Sequence, residues 1–147
     1  MIKTYENISL KAYNTFGIDV KASLFIEFDQ LDDLKSIMKL KSDRCTKKLI
    51  LGGVSNILFT KDFIGIIYHP VIKQIEIIQD HKEEVLIKVG AGVHWDDFVA
   101  YCVSHEYYGL ENLSLIPGNV GASPIQNIGA FGVEVKDVID KVEVFDM

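Results

Sequence analysis

The sequence predicts an α+β fold of two small lobes. Segments typical of strands and segments typical of helices both alternate and cluster along the chain. The pattern changes at His69 and Pro70, where an apolar run is broken. A chain of 147 residues is long enough for one domain or two small lobes with a buried core. We therefore predict a first lobe over residues 1–70 and a second over residues 71–147.

The first lobe contains three predicted strands and one predicted helix. Residues 24–28 (LFIEF) are β-branched and aromatic, which favours a strand. Asp29 has the position of an N-cap, and a helical stripe of apolar residues follows it. The stripe consists of Leu31, Leu34, Ile37, Met38 and Leu40. Residues 48–51 and residues 64–68 are predicted as the second and third strands.

The second lobe begins with a predicted hairpin. Residues 72–78 and 85–89 read as two strands around a polar turn at residues 79–84. Residues 94–107 are predicted to form a helix that Gly109 stops. Its buried face is Trp95, Phe98, Val99, Cys102 and Val103. Residues 142–145 are predicted to begin a final strand.

Composition and charge exclude several classes of protein. The net charge is −6, and the basic residues between positions 35 and 45 alternate with apolar and acidic ones. No nucleic-acid partner and no attraction to anionic membranes are therefore expected. The first 17 residues have no apolar signal-peptide core, and the most apolar run, residues 63–72, is too short to span a bilayer. Cys45 and Cys102 are far apart in sequence, which favours free thiols and a cytoplasmic location.

Residues 51–56 (LGGVSN) form the first candidate site, and we call residues 52–56 the glycine loop. A predicted strand ends there, and two glycines are followed by the hydroxyl of Ser55 and the amide of Asn56. Backbone N–H groups that point the same way bind anions, and glycine lets a phosphate approach closely. The loop is neither a P-loop nor a GxGxxG motif. Taken alone, the motif is a weak signal and favours a plain turn.

Residues 114–134 (SLIPGNVGASPIQNIGAFGVE) form the second candidate site, which we call the glycine-rich segment. Pro117 and Pro124 stiffen a stretch with little side-chain bulk, and Gln126 and Asn127 add two amides. Such a segment can lie along a planar ligand and meet its polar edge with backbone groups. A long loop without function is the alternative, although long ordered loops are usually functional.

Other residues point to no further chemistry. The four histidines lack metal-ligand spacing, so no metal site is predicted. No serine lies in a GxSxG motif, which argues against a serine hydrolase. The pairs Asp32/Asp33 and Asp96/Asp97 are interpreted as solvated charges in the first turn of each helix.

These segments together resemble the family of UDP-N-acetylenolpyruvoylglucosamine reductases of peptidoglycan synthesis. The 16 residues at 117–132 (PGNVGASPIQNIGAFG) resemble its flavin-binding signature. Further similarities occur in the family's order along essentially the whole chain. They are residues 14–17 (NTFG), 51–56 (LGGVSN beside the family's LGxGSN), 89–92 (VGAG) before Trp95, and 109–113 (GLENL).

The resemblance implies a vanillyl-alcohol-oxidase-type FAD fold in which two α+β lobes hold the cofactor between them. It also implies which residues contact FAD. The pyrophosphate would face Gly52, Gly53, Val54, Ser55 and Asn56. The flavin and its ribityl arm would be lined by Ile116, Pro117, Gly118, Gly121, Ala122, Ser123, Ile125, Gln126, Asn127, Ile128 and Gly129.

The family reaction sets further expectations. In the family, NADPH reduces FAD, and the flavin passes hydride to the enolpyruvyl group of a UDP-linked sugar. A serine protonates the carbon next to the one that receives hydride, while an arginine and a glutamate stabilise the enolate charge. No residues here match these three, so we expect no catalytic residue and no turnover by this chain alone. We also expect the substrate-binding domain to be absent and the second lobe to be incomplete. Apolar surface and a strand edge at residues 142–145 would then be uncovered, which favours self-association.

One residue departs from the family pattern. The family usually has glycine where this chain has Val54. A positive φ there would strain a β-branched side chain, so the affinity for FAD depends on this position. The neighbouring Gly53 is able to supply part of the backbone freedom that Val54 lacks.

Two other functions stay open. The chain is compatible with another FAD-linked oxidase fold, in which FAD is often attached through a histidine or cysteine. His94, just after Gly92, is the histidine closest to a glycine-rich stretch. The chain is also compatible with a non-catalytic fragment that folds but binds no flavin.

Overall fold

The computed structural model describes residues 1–39 and 47–146, in two compact units. The first unit spans Met1–Ile72 and the second Lys73–Met147. The last residue of the predicted helical stripe, Leu40, and the predicted free thiol of Cys45 lie outside the described residues. Neither α-helix of the described chain, nine and ten residues long, reaches the length needed to traverse a bilayer.

The described residues of the first unit form a four-stranded sheet and one α-helix. Its strands are β1 (Ile2–Ser9), β2 (Lys21–Phe28), β3 (Lys48–Ile50) and β4 (Phe63–Pro70), in the order β1-β2-β4-β3. Strands β2, β3 and β4 are parallel, and β1 pairs antiparallel with β2. Helix α1 (Leu31–Lys39) follows β2. The sequence did not predict β1, because this edge strand is exposed at almost every position and shows no apolar alternation.

Both faces of this sheet are buried. Phe25 and Ile67 are fully buried in one cluster, which also contains Leu51 and Val54. The neighbouring residues in β2 and β4 point to the opposite face, where they form a second cluster with Ile37 of α1. The hydrophobic runs predicted as strands therefore reflect burial on both sides, as parallel strands require.

The turn between β1 and β2 is organised by a buried amide. Asn14 Nδ2 donates to Leu10 O (2.7 Å) and Ile18 O (2.9 Å), and its Oδ1 accepts from Ile18 N (3.0 Å). Gly17 closes the turn with φ of +64°. These bonds hold the backbone of residues 14–17 in one conformation, which sets the direction of the Thr15 side chain.

The second unit contains the predicted hairpin and helix with short additional elements. Strands β5 (Ile75–Asp80) and β6 (Val85–Val89) are antiparallel, and helix α2 spans Trp95–Ser104. Strands β7 (Gly129–Ala130) and β8 (Val133–Glu134) form a second small ribbon. The mixed sheet of the first unit and these antiparallel ribbons, with two helices, agree with the predicted α+β class.

Helix α2 ends earlier than predicted. Glu106 adopts φ of +60°, and Tyr107 N donates to Cys102 O (2.9 Å) while Glu106 N donates to Val103 O (3.1 Å). This is the bonding of a Schellman motif, which usually has glycine at the left-handed position. The prediction that Gly109 stops the helix was therefore wrong, because a glutamate takes the role that the sequence pattern reserves for glycine.

The predicted final strand at residues 142–145 was also wrong. Within the described chain these residues form no strand, and Val144 is 85% exposed. A strand requires backbone bonds to a neighbour. The contact of this stretch is instead between side chains, from Lys88 Nζ to Glu143.

One core holds the second unit together. Trp95, Phe98, Val99 and Cys102 of α2 pack there with Val93, Leu113 and Val135. Burial raises the pKa of the Cys102 thiol to about 11, so the thiol is neutral near pH 7. The buried face of α2 was correctly predicted except for Val103, which is 48% exposed.

Candidate functional site

The glycine loop follows a residue whose backbone N–H and C=O groups are both hydrogen-bonded. Leu51 is fully buried, its N–H donates to Tyr68 O (2.8 Å), and its carbonyl oxygen lies 2.8 Å from His69 Nδ1. Because a carbonyl only accepts, His69 must carry its proton on Nδ1 for this bond. The loop therefore leaves the sheet in a fixed direction.

Val54 is the residue of the loop with the unusual conformation. Its φ is +43°, and its side chain is 6% exposed within the core of the first unit. Its carbonyl oxygen accepts hydrogen bonds from both the N–H and the hydroxyl of Thr15, each at 3.2 Å. The positive φ falls on Val54 rather than on Gly52 or Gly53. The β-branched side chain is thus kept in a strained conformation by burial and by Thr15.

The rest of the glycine loop lies at the surface. Gly52, Gly53 and Ser55 are half-buried, and Asn56 is exposed. The loop therefore presents backbone, a hydroxyl and an amide above a buried valine. This set of donors suits a phosphate group.

The glycine-rich segment lies against the residues that lead into α2. Trp95 N donates to Gly118 O (2.9 Å), and Val120 N donates to Val93 O (2.9 Å). Asn119 and His94 pair between these two bonds. The indole N–H of the buried Trp95 also donates to Leu113 O (2.7 Å). The start of the segment is therefore attached to α2 at several points.

Gly121 shows why this segment has so little bulk. Its N–H donates to Ala91 O at 3.1 Å. A Cβ at position 121 would lie 2.6 Å from the Cβ and 2.9 Å from the Cα of Ala91, closer than atoms can approach. Gly118, with φ of +125°, supplies a backbone conformation that other residues rarely adopt. Packing within the second unit therefore requires glycine at 121, independently of any ligand.

The middle of the segment is folded back on itself. Ser123 is 4% exposed, and its hydroxyl donates to Val120 O (2.8 Å). Ile128 N donates to Ser123 O (3.2 Å), and Val135 N donates to Ile128 O (2.8 Å). Asn127 has φ of +44°, and its Oδ1 accepts from Lys136 N (3.1 Å). These bonds stabilise the turn, and the Ser123 hydroxyl is buried within it.

The exposed side of the segment is formed by a different set of residues. Pro117, Gly121, Gln126 and Gly129 are exposed, and Ile125 is 86% exposed. Half-buried positions are Ile116, Gly118, Ala122, Asn127 and Ile128. Of the residues predicted to line the flavin, Ser123 is the one that is fully buried. The predicted contacts with FAD stay predictions for all of them.

Asp96 has a role that sequence analysis missed. Its Oδ1 accepts from the Ser114 hydroxyl (2.9 Å) and from Leu115 N (2.7 Å). These bonds, led by the one from Leu115, hold the pKa of Asp96 below its ordinary value. The interpretation of Asp96 as a charge in the first turn of the helix is confirmed, but the sequence did not predict that a loop 18 residues further along the chain turns back onto it.

Comparisons with known proteins agree with these features. A protein-family model described as an FAD binding domain matches residues 22–147. The chain belongs to this FAD-binding domain family. The predicted resemblance is confirmed as well, since relatives named UDP-N-acetylenolpyruvoylglucosamine reductase match most of the chain. The protein from Bacteroides fragilis strain YCH46 is 50% identical over 97% of this chain, and that from Pseudomonas aeruginosa is 43% identical over 99%.

The fold is also that of a solved reductase. The crystal structure of UDP-N-acetylenolpyruvylglucosamine reductase (MurB) from Thermus caldophilus matches with a TM-score of 0.68 and 22% identity. The match covers 93% of this chain and 46% of that structure. The chain spans 42% of the Bacteroides fragilis protein and 43% of the Pseudomonas aeruginosa protein. The predicted fold class is thereby confirmed.

Replacing Val54 by glycine tests the strain at this position. Val54→Gly and Val20→Gly each remove a valine that is 6% exposed in the same core, but Val20 has no positive φ. We expect Val54→Gly to reduce the free energy of unfolding by about 1–2 kcal/mol less than Val20→Gly, because it also removes the strain. Urea unfolding followed by circular dichroism measures both. Equal losses would show that the conformation of Val54 is not strained.

Replacing Gly121 by alanine tests the close backbone approach. We expect Gly121→Ala to reduce the free energy of unfolding by about 1–3 kcal/mol, because the new methyl group overlaps Ala91. Urea unfolding followed by Trp95 fluorescence reports on this unit, since Trp95 is the single tryptophan of the chain. The double variant Gly121→Ala/Ala91→Gly should regain part of the loss relative to the sum of the single changes. Simple additivity of the two changes would contradict the contact.

Proposed function

We propose that this chain is the FAD-binding portion of a UDP-N-acetylenolpyruvoylglucosamine reductase, also called UDP-N-acetylmuramate dehydrogenase. The observation that carries the proposal is the 50% identity to a protein of that name over 97% of this chain. In the intact enzyme, the flavin would take hydride from NADPH and deliver it to the enolpyruvyl group of the UDP-linked sugar. The product, UDP-N-acetylmuramate, enters peptidoglycan synthesis, and through it cell-wall growth, shape and division.

The glycine loop is proposed to bind the pyrophosphate of FAD. Half-buried glycines, the Ser55 hydroxyl and the exposed Asn56 amide provide donors without bulk. Val54 is buried below them with its carbonyl bonded to Thr15, so we propose that it also shapes the loop. The chain supplies these donors from a backbone that is already ordered, which reduces the entropy lost on binding.

The glycine-rich segment is proposed to bind the flavin through its exposed side. Pro117, Ile125 and Gln126 give an apolar surface with one amide, as a flavin ring requires. The backbone N–H groups of Ala122 and Ser123 are bonded within the segment, and that of Gly121 is bonded to Ala91 O. Their role is therefore to keep the exposed groups in place.

The proposal also covers the reductant, the location and the self-association of the chain. NADPH is the proposed reductant, the cytoplasm is the proposed location, and self-association is proposed through exposed apolar residues such as Val144.

We expect no turnover of NADPH with the enolpyruvyl sugar by this chain alone, because none of its residues matches the family's serine, arginine and glutamate. Sustained NADPH oxidation that depends on the sugar nucleotide would contradict this expectation.

A flavin titration tests the proposal. The purified chain is incubated with FAD, freed of unbound cofactor, and examined by visible absorption. We expect a retained and shifted flavin band. Asn56→Ala should weaken FAD binding about tenfold or more, since it removes a bond to a charged group.

The control for this titration is Asn112→Ala, which truncates an exposed amide outside both segments and should leave affinity unchanged. A folded chain without a flavin band would favour the second function left open above, a fragment that binds no flavin. Equal effects of the two asparagine variants would show that the glycine loop is not the phosphate site.

A further inference from the structure

The turn at Leu115 directs the chain into the glycine-rich segment. Leu115 has φ of +62° and is 82% exposed, so neither glycine flexibility nor side-chain burial explains its conformation. A left-handed conformation is unfavourable for leucine by roughly 1–2 kcal/mol. Some other interaction must therefore keep this residue in place.

The interaction is with the first turn of α2. Asp96 Oδ1 accepts from Leu115 N at 2.7 Å and from the Ser114 hydroxyl at 2.9 Å. Hydrogen bonds to a carboxylate are stronger than neutral ones and are sufficient to offset the strain of one residue. The lowered pKa of Asp96 agrees with an ionised acceptor near neutral pH.

The residues on both sides of this turn are hydrogen-bonded to Trp95, the residue of α2 next to Asp96. Trp95 binds Leu113 O through its indole and Gly118 O through its backbone N–H. Between these two points, the Asp96 contact is what determines the path of the chain through Leu115. Residues 116–118, which follow directly, are the first of the proposed flavin-binding positions.

We propose that Asp96 is a positioning residue for the flavin: it holds Leu115 in the left-handed conformation and thereby fixes Ile116, Pro117 and Gly118 in the orientation that binds the ring. The role rests on the proposed function, and it acts through the turn rather than by contact with the cofactor. Asp97 provides the matched control. It lies in the same first turn of α2, and within the described part of the chain its side chain makes no hydrogen bond to residues 114–118.

The experiment compares the complete wild-type chain with Asp96→Ala, Asp96→Asn and Asp97→Ala. Amide hydrogen exchange without FAD is measured at Leu115, and the dissociation constant for FAD is measured by quenching of flavin fluorescence. We expect Asp96→Ala to accelerate exchange at Leu115 at least about tenfold and to weaken FAD binding about tenfold. Asp96→Asn keeps an acceptor oxygen and should lie between Asp96→Ala and wild type in both measurements.

Asp97→Ala removes the same charge from the helix N-terminus and should change neither measurement. Equal effects of Asp96→Ala and Asp97→Ala would overturn the proposal, because the charge at the helix end would then explain them. Faster exchange in Asp96→Ala with unchanged FAD affinity would limit Asp96 to a structural role and also overturn it. A wild-type chain that binds no FAD would overturn the proposed function and this role with it, while the exchange at Leu115 would still show whether Asp96 holds the turn.

Discussion

The backbone of the glycine-rich segment lies so close to Ala91 that position 121 has no room for a side chain, since a Cβ there would lie 2.6 Å from the Cβ of Ala91. Further hydrogen bonds join the same parts of the second unit. Val120 and Gly121 donate to the backbone of residues 91–93, and Trp95 binds the segment at Gly118 O and Leu113 O. The glycines therefore serve packing first. A ligand can use the segment only because packing has already exposed its other side.

In the first unit, buried side chains rather than a close backbone approach fix the candidate segment. Its glycine loop is fixed between the buried Leu51 and the buried Val54, and Val54 adopts a positive φ that Thr15 stabilises through the carbonyl. A glycine at position 54 would adopt this conformation without strain but would lose the buried side chain. With valine at this position, the chain accepts a strained backbone and gains a buried side chain. The buried side chain limits the loop to fewer conformations. Strain kept by surrounding structure is common at binding sites.

The sequence predicted the parts of the fold that have strong periodicity. Strands β2, β3 and β4, the hairpin and the start of α2 follow from runs of apolar residues. The edge strand β1 gave no such signal, because its residues are exposed on both faces. The end of α2 was missed because Glu106 takes a left-handed conformation that only glycine signals in a sequence. The Asp96 contact could not be predicted, since it joins residues 18 and 19 positions apart through a turn without a motif. The glycine patterns indicated both candidate segments and the family resemblance assigned them to FAD, but neither indicated that Ser123 is buried.

The most direct test of the proposed function is to map where FAD acts on the 147-residue chain. Backbone amide resonances are assigned, and their shifts are followed as FAD is added. If both segments bind one cofactor, residues 52–56 and exposed positions such as Ile125 and Gln126 will shift together with a single dissociation constant. Shifts confined to one segment, or located away from both, would contradict the proposed site.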